Sequence, residues 1–163
     1  MIDELKEVEL SQSLAAAVHL DIPREEIAPH IDRAIREVLE CLSANEIEPS
    51  GPLFAHHRSV SDSRFDIEVG FPIANDVCTS GRVGTITLPA MKAVSTTYKG
   101  PYEGLYQAWS EFGAAARSGG YQLKGTEQGE ASFREIYRIG PEAGADSTRW
   151  ETDLFLPISS LPL

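Results

Sequence analysis

The stretch Ser132-Phe133-Arg134-Glu135-Ile136-Tyr137-Arg138 alternates in a way that matters for chemistry. As a β-strand it puts Phe133, Glu135 and Tyr137 on one face and Arg134, Ile136 and Arg138 on the other. If the first face points inward, a carboxyl group sits between two aromatic rings. An unpaired carboxylate is costly in such surroundings, so it calls for a raised pKa, an Arg or Tyr partner, or a cationic ligand. If the Arg face is the inner one, or the strand lies at an exposed edge, Glu135 is an ordinary solvated acid. Alternation alone leaves both arrangements open.

Further aromatics gather nearby in sequence. Tyr98, Tyr102, Tyr106 and Trp109 flank one strand-to-helix junction, and Tyr137 and Trp150 come from the hairpin that must fold back beside it. Rings of this kind wall pockets, and around a carboxylate they favour an organic cation through cation–π attraction and charge. Helical spacing assigns Trp109 to core packing, while Tyr102 and Tyr106 carry phenols that reach either a ligand or water. Phe54, His56 and Glu68 occupy the corresponding hairpin of the first half of the chain and are expected, by symmetry, to face the same cleft.

Other chemistries find little support. His56 and His57 are adjacent strand residues that point to opposite faces, so they do not chelate one ion, and no metal site is expected. No G-x-S-x-G, H-E-x-x-H, phosphate-binding loop or dinucleotide fingerprint is present, and the Ser-rich run at 59–63 reads as a hairpin turn. No cofactor is expected.

The elements that position these residues show an internal repeat. Phe65-Asp66-Ile67-Glu68-Val69-Gly70-Phe71-Pro72-Ile73 and Trp150-Glu151-Thr152-Asp153-Leu154-Phe155-Leu156-Pro157-Ile158 match aromatic to aromatic, acid to acid twice, and end alike in Pro-Ile. Strand patterns at 53–60 and 133–139 precede them across polar turns, so each half ends in a β-hairpin. Upstream, Ile27, Ile31, Ala34, Ile35, Val38, Leu39 and Leu42 keep helical spacing, as do Tyr102, Leu105, Ala108, Trp109, Phe112 and Ala116. Pro23 and Pro29 fit early turns of the first helix, and Pro101 suits the opening of the second. Residues 8–20 and 85–98 supply one leading strand to each half, the second interrupted by Leu88-Pro89-Ala90.

The expected fold is α+β. It is one domain over 1–163, made of two β-α-β-β repeats at about 5–74 and 82–159 joined by the small, polar connection 74–82. Two amphipathic helices and about six strands must share an antiparallel sheet under pseudo-twofold symmetry, with a ligand cleft between the repeats.

Composition bounds the partners. Of 163 residues, 14 are Lys or Arg and 25 are Asp or Glu, a formal charge of -11 that has the wrong sign for holding a polyanion. No direct nucleic-acid binding is expected. No apolar run is long enough for a membrane span, and the start Met1-Ile2-Asp3-Glu4-Leu5-Lys6-Glu7 lacks a signal-peptide pattern, so the cytoplasm is expected. Cys41 and Cys78, in a helix and a linker, read as reduced thiols.

Taken in order, several stretches resemble the gyrase-inhibitor-like family, whose effector-binding domains also stand at the C-terminus of multidrug-sensing transcription activators. These stretches are Gly51-Pro52-Leu53-Phe54-Ala55, Phe65 to Ile73, Leu88-Pro89-Ala90, Gly100-Pro101-Tyr102-Glu103, Arg134-Glu135-Ile136-Tyr137 and Glu151 to Ile158. The resemblance covers nearly the whole chain. It implies a duplicated β-α-β-β fold whose cleft is lined by aromatics around a glutamate on the penultimate strand, and Glu135 matches that glutamate's motif. It also implies Tyr102 and Tyr106 as wall residues.

The resemblance implies several functions. First comes a stand-alone module that senses or sequesters amphipathic small molecules, cationic ones among them, without turnover. Second, some family members look like hydrolases that open strained rings of toxic electrophiles, in which Glu135 would orient water or act as a base of raised pKa. Third, the family name implies a protein partner, DNA gyrase, and relatives fused to a helix-turn-helix segment imply a transcription regulator. With the first strand expected near Val8, regulation would need such a partner. A haem-binding family of similar duplicated fold is a distant fourth, since His19, His30, His56 and His57 offer no clear axial ligand.

Overall fold

Period-2 alternation in β-branched and small residues, broken by prolines and polar pairs, sets the strands of this computed structural model, which describes residues 2–60, 63–76, 81–124 and 133–159. Cys78, the centre of the expected connection at 77–80, the tip of the Ser-rich turn at 61–62 and Ser132 lie outside the described residues. In chain order the elements are β1 (Lys6–Leu10), β2 (Ser13–Pro23), α1 (Ile27–Ala44), β3 (Phe54–Val60), β4 (Arg64–Ile73), β5 (Gly84–Leu88), β6 (Met91–Lys99), α2 (Leu105–Ser118), β7 (Phe133–Ile139) and β8 (Glu151–Pro157). Among the described residues the eight strands form one antiparallel sheet in the order β1-β6-β8-β7-β3-β4-β2-β5.

Each expected leading strand is in fact two. Residues 8–20 divide into β1 and β2 at Ser11-Gln12, and 85–98 into β5 and β6 at Pro89-Ala90, where Pro89 lacks the N–H a ladder needs. The short first strands then change sides. β1 pairs with β6 of the second half, and β5 pairs with β2 of the first. Each half thus lends an edge strand to the other, which local alternation cannot reveal.

The halves meet where β3 pairs with β7: Phe54 opposite Ile136, Ala55 opposite Glu135, His56 opposite Arg134 and His57 opposite Phe133. The hairpin registers relate the two sides. Ala55 pairs with Val69 and His57 with Ile67, while Glu135 pairs with Leu154 and Tyr137 with Thr152. Because Val69 and Ile67 match Leu154 and Thr152 in the repeat, Ala55 corresponds to Glu135 and His57 to Tyr137. Both strands shift register immediately afterwards, between His57 and Ser59 and between Tyr137 and Ile139. The pseudo-twofold axis therefore passes through the Ala55–Glu135 pair.

One face of the sheet carries the helices. Val18, Leu20, Ile67 and Val69 pack with Ala34, Val38 and Leu42 of α1. Val94, Leu154 and Leu156 pack with Ala108, Phe112 and Ala116 of α2. Full burial of Val38 or Leu42 stabilises by about 1.5–3 kcal/mol relative to exposure, so each helix is held chiefly by this stripe. The opposite face has its own small cluster of Ala15, Ala17, Phe54 and Leu88. Among the described residues no helix is long and apolar enough to cross a membrane.

Candidate functional site

β7 lies near the middle of the sheet, and its Glu135 face turns toward the helices. Glu135 is 6% exposed. Three donors, each from a different element, meet its carboxylate. His57 Nε2 of β3 lies 3.0 Å from Oε1, Tyr137 Oη of β7 donates to the same oxygen at 3.2 Å, and Trp109 Nε1 of α2 donates to Oε2 at 3.2 Å. Leaving such a carboxylate unpaired would cost several kcal/mol, and each charge-assisted bond returns about 1.5–3 kcal/mol, so three of them reverse the balance.

The titration follows. Burial pushes the Glu135 carboxyl up, but the bond to His57 and its charge, with the bonds from Trp109 and Tyr137, outweigh burial and hold it below the ordinary glutamate range. The group is a carboxylate at neutral pH, whereas the hydrolase reading from sequence carried a raised pKa. Tyr137 moves the other way: burial, the Glu135 charge and the shared bond hold it well above its ordinary value, so it remains a phenol that donates. Tyr102 is also raised, by burial and by the charges of Glu142 and Glu135.

Rings enclose the carboxylate. The His57 imidazole stacks on Phe133 at 4.2 Å and 14°, with Phe65 5.8 Å away. Trp109 tilts over Phe133 at 4.7 Å, and Tyr102 meets Tyr137 edge-on at 5.7 Å. The Arg24 guanidinium lies 4.5 Å above the Phe65 ring. These side chains line an open cavity of about 900 Å³ between the sheet, α1 and α2. Its lining is mostly apolar and aromatic, with the charged side chains of Arg24, Asp32, Glu103, Arg117 and Lys124 also bordering it, and a concave lining of this kind fits a small molecule.

The structure distributes the expected site residues unevenly. Glu135, Tyr137, Tyr102 and Tyr106 line the cavity, Tyr106 from an exposed position. Trp150 lies outside that lining and packs against Tyr102 from behind at 4.9 Å, its Nε1 bonded to the Gly144 carbonyl. Tyr98 is buried under α2, and its hydroxyl donates to the Pro101 carbonyl at 2.8 Å. That hydroxyl occupies the space beside Gly104, where a Cβ would come within 2.0 Å of it. Tyr98 therefore shapes the turn that launches α2.

Phe54, His56 and Glu68 stand on the opposite face of the sheet. Phe54 packs with Ala15 and Ala17, and His56 Nδ1 pairs with Glu68 Oε1 at 3.2 Å. The cavity-facing residues here are instead Leu53, just before β3, and Ala55 and His57 within it, because a displacement of one residue along a strand exchanges faces. His57 and Trp109 are the residues that sequence reasoning passed over as ligands to Glu135. A signal for His57 exists: His57-Arg58 and Tyr137-Arg138 stand at the same bulge of the two hairpins. Among the described residues no cluster of three metal-ligating side chains occurs.

A curled antiparallel sheet with two helices over a cavity centred on one buried carboxylate defines a small-molecule-binding domain. Residues 4–159 match the GyrI-like small molecule binding domain, and the chain belongs to that family. Among solved structures it is similar to the EcmrR C-terminal domain, at TM-score 0.77 and 20% identity over 97% of this chain and 98% of that one. The EcmrR chain in its DNA complex aligns at TM-score 0.81 and 20% identity over 97% of this chain, which spans 58% of that longer chain. SAV2435 bound to tetraphenylphosphonium aligns at TM-score 0.71 and 14% identity, over 97% and 95% of the two chains. A hydrolase from Listeria innocua aligns at TM-score 0.60 and 16% identity, over 96% and 92%. These likenesses are of fold. No curated protein matches.

Proposed function

We propose that the chain binds amphipathic organic cations in this cavity, as a sensor or sequestering module that does not turn them over. The observation that carries the reading is a carboxylate held ionised among aromatic faces: Oε1 already takes two donors, whereas Oε2 takes one and retains acceptor capacity. A cation beside it gains charge attraction together with the faces of Trp109, Tyr102 and Tyr137. Support also comes from SAV2435, a protein of like fold with tetraphenylphosphonium bound.

The test is thermal shift with tetraphenylphosphonium and with neutral triphenylmethanol, on the unaltered chain and on Glu135→Gln. The cation is expected to stabilise the unaltered chain by about 2.7 kcal/mol at 100 times its Kd, and the variant much less. Equal stabilisation of both proteins, or none of the unaltered chain, overturns the reading.

A second reading is supported by the same donors. An ionised Glu135 bonded to the Tyr137 phenol suits a hydrolase in which Glu135 takes a proton from water as that water forms a bond to a strained-ring carbon, the ring C–O bond breaks, and Tyr137 gives its proton to the released oxygen and recovers one from Glu135. Consumption of an epoxide probe by the unaltered chain and not by Glu135→Gln would favour it. In either case we place the protein in the cytoplasm. A signal would pass to a protein partner, a transcription regulator or DNA gyrase, through the acidic surface, and a pull-down that weakens steeply with salt would detect that contact.

A further inference from the structure

The cavity is chemically divided. On the α2 side it is aromatic, with Tyr102, Trp109, Phe133 and Tyr137 around Glu135. On the α1 side it is aliphatic: Ile27, Ile31 and Ile35 project from successive turns toward Leu53, Ile67 and Val69. The stacked rings of His57 and Phe133 stand at the junction of the two lobes. The three isoleucines and Leu53 are only half-buried although they belong to the first core cluster, so the lobe presents apolar surface that the chain itself does not cover.

We propose that the aliphatic lobe is an alkyl-chain site, so that the preferred ligands are elongated amphiphiles with an aromatic cationic head at Glu135 and a linear hydrocarbon tail along α1. This rests on the reading of the cavity as a cation site. Spacing at i, i+4 and i+8 gives a row about 12 Å long, the reach of an alkyl chain of roughly eight to ten carbons. Aliphatic walls match a flexible chain, whereas the aromatic lobe matches a flat or quaternary head. Two charged side chains border the row: Asp32 next to Ile31 is exposed, and Arg24, ahead of Ile27, lies over the Phe65 ring.

The experiment is calorimetric titration of the full chain with benzyldimethylalkylammonium salts whose alkyl chains run from two to twelve carbons, below their micelle concentrations. Kd is expected to fall about fourfold per added methylene and to level off near eight to ten carbons, with one site per chain. Ile31→Ser is expected to weaken the octyl homologue about tenfold and leave the ethyl homologue within twofold, and Ile31→Val to keep the octyl affinity. If Ile31→Ser does not fold, Ile27→Ser at the first turn gives the same comparison. Ethyl and octyl homologues of equal affinity, or a serine variant that weakens both alike, overturns the alkyl site while leaving the cation site standing. Failure of every homologue to bind overturns both.

Discussion

Ala55 and Glu135 face each other across the central β3–β7 ladder, on the axis that relates the two halves of the sheet. A strict duplicate would put two carboxylates side by side there, and like charges at that distance cannot both ionise in a buried site. One side carries the acid and the other a methyl group. The flanking pair that corresponds across the axis, His57 and Tyr137, then serves a single oxygen, Oε1. A single buried carboxylate thus arises within a two-fold frame.

Enlarging Ala55 tests this arrangement. It is 2% exposed. Ala55→Leu is expected to destabilise by about 1–3 kcal/mol through overpacking, read by urea denaturation, and to weaken tetraphenylphosphonium binding more than tenfold. Undiminished affinity would place the ligand away from the axis.

The depressed Glu135 pKa makes a pH prediction of definite sign. A carboxyl lowered in the folded state contributes stability above its unfolded value and loses that contribution as pH falls through the folded one. Stability of the unaltered chain is expected to decline below about pH 4.5, with Glu68, also lowered through its bond to His56, adding to the fall. In Glu135→Gln the decline should be shallower. An unchanged slope would show that Glu135 is not held ionised.

His57 is expected to act as donor and not merely as packing. His57→Phe keeps a ring against Phe133 but removes the bond, which should cost about 1–3 kcal/mol at neutral pH. It should also raise the Glu135 carboxyl titration seen by carbon-13 NMR. His57→Gln, which can donate, should restore part of both. Stability lost without movement of that titration would reduce His57 to a packing role.

The two tryptophans separate the cavity from its surroundings. Trp109 lines it and Trp150 does not. Binding of an organic cation is expected to change the fluorescence of the unaltered chain and of Trp150→Phe, and to change that of Trp109→Phe little. The reverse pattern would move the site to the outer side of Tyr102.

Tyr98 should behave as a positioning residue. Tyr98→Phe removes the bond to the Pro101 carbonyl and is expected to cost about 1 kcal/mol in urea denaturation, with ligand affinity reduced only a few-fold. A loss of affinity as large as that of Glu135→Gln would mean that the hydroxyl reaches the ligand.

Much of the fold was legible because alternation and helical spacing are local properties. Both helices, the two hairpins and the Pro89 break follow from residues within one element. The exchange of β1 and β5 between halves was not, since a five-residue edge strand carries no mark of its partner. Trp109 shows a related limit. Its spacing placed it on the apolar stripe of α2, where it does touch Phe112, yet the same ring bonds Glu135 from the edge of that stripe. A stripe wide enough to pack is wide enough to line a cavity.

The sequence by itself determined that Phe133, Glu135 and Tyr137 share a face, that aromatics gather about them and that the surface is acidic, because period-2 geometry and net charge need no long-range information. Only the tertiary structure decided that this face is the covered one, and that His57, 78 residues away, supplies the partner while His56 turns aside to Glu68. Those outcomes depend on the hydrogen-bond register between strands distant in the chain, and a step of one residue in that register exchanges every side chain between cavity and outer face.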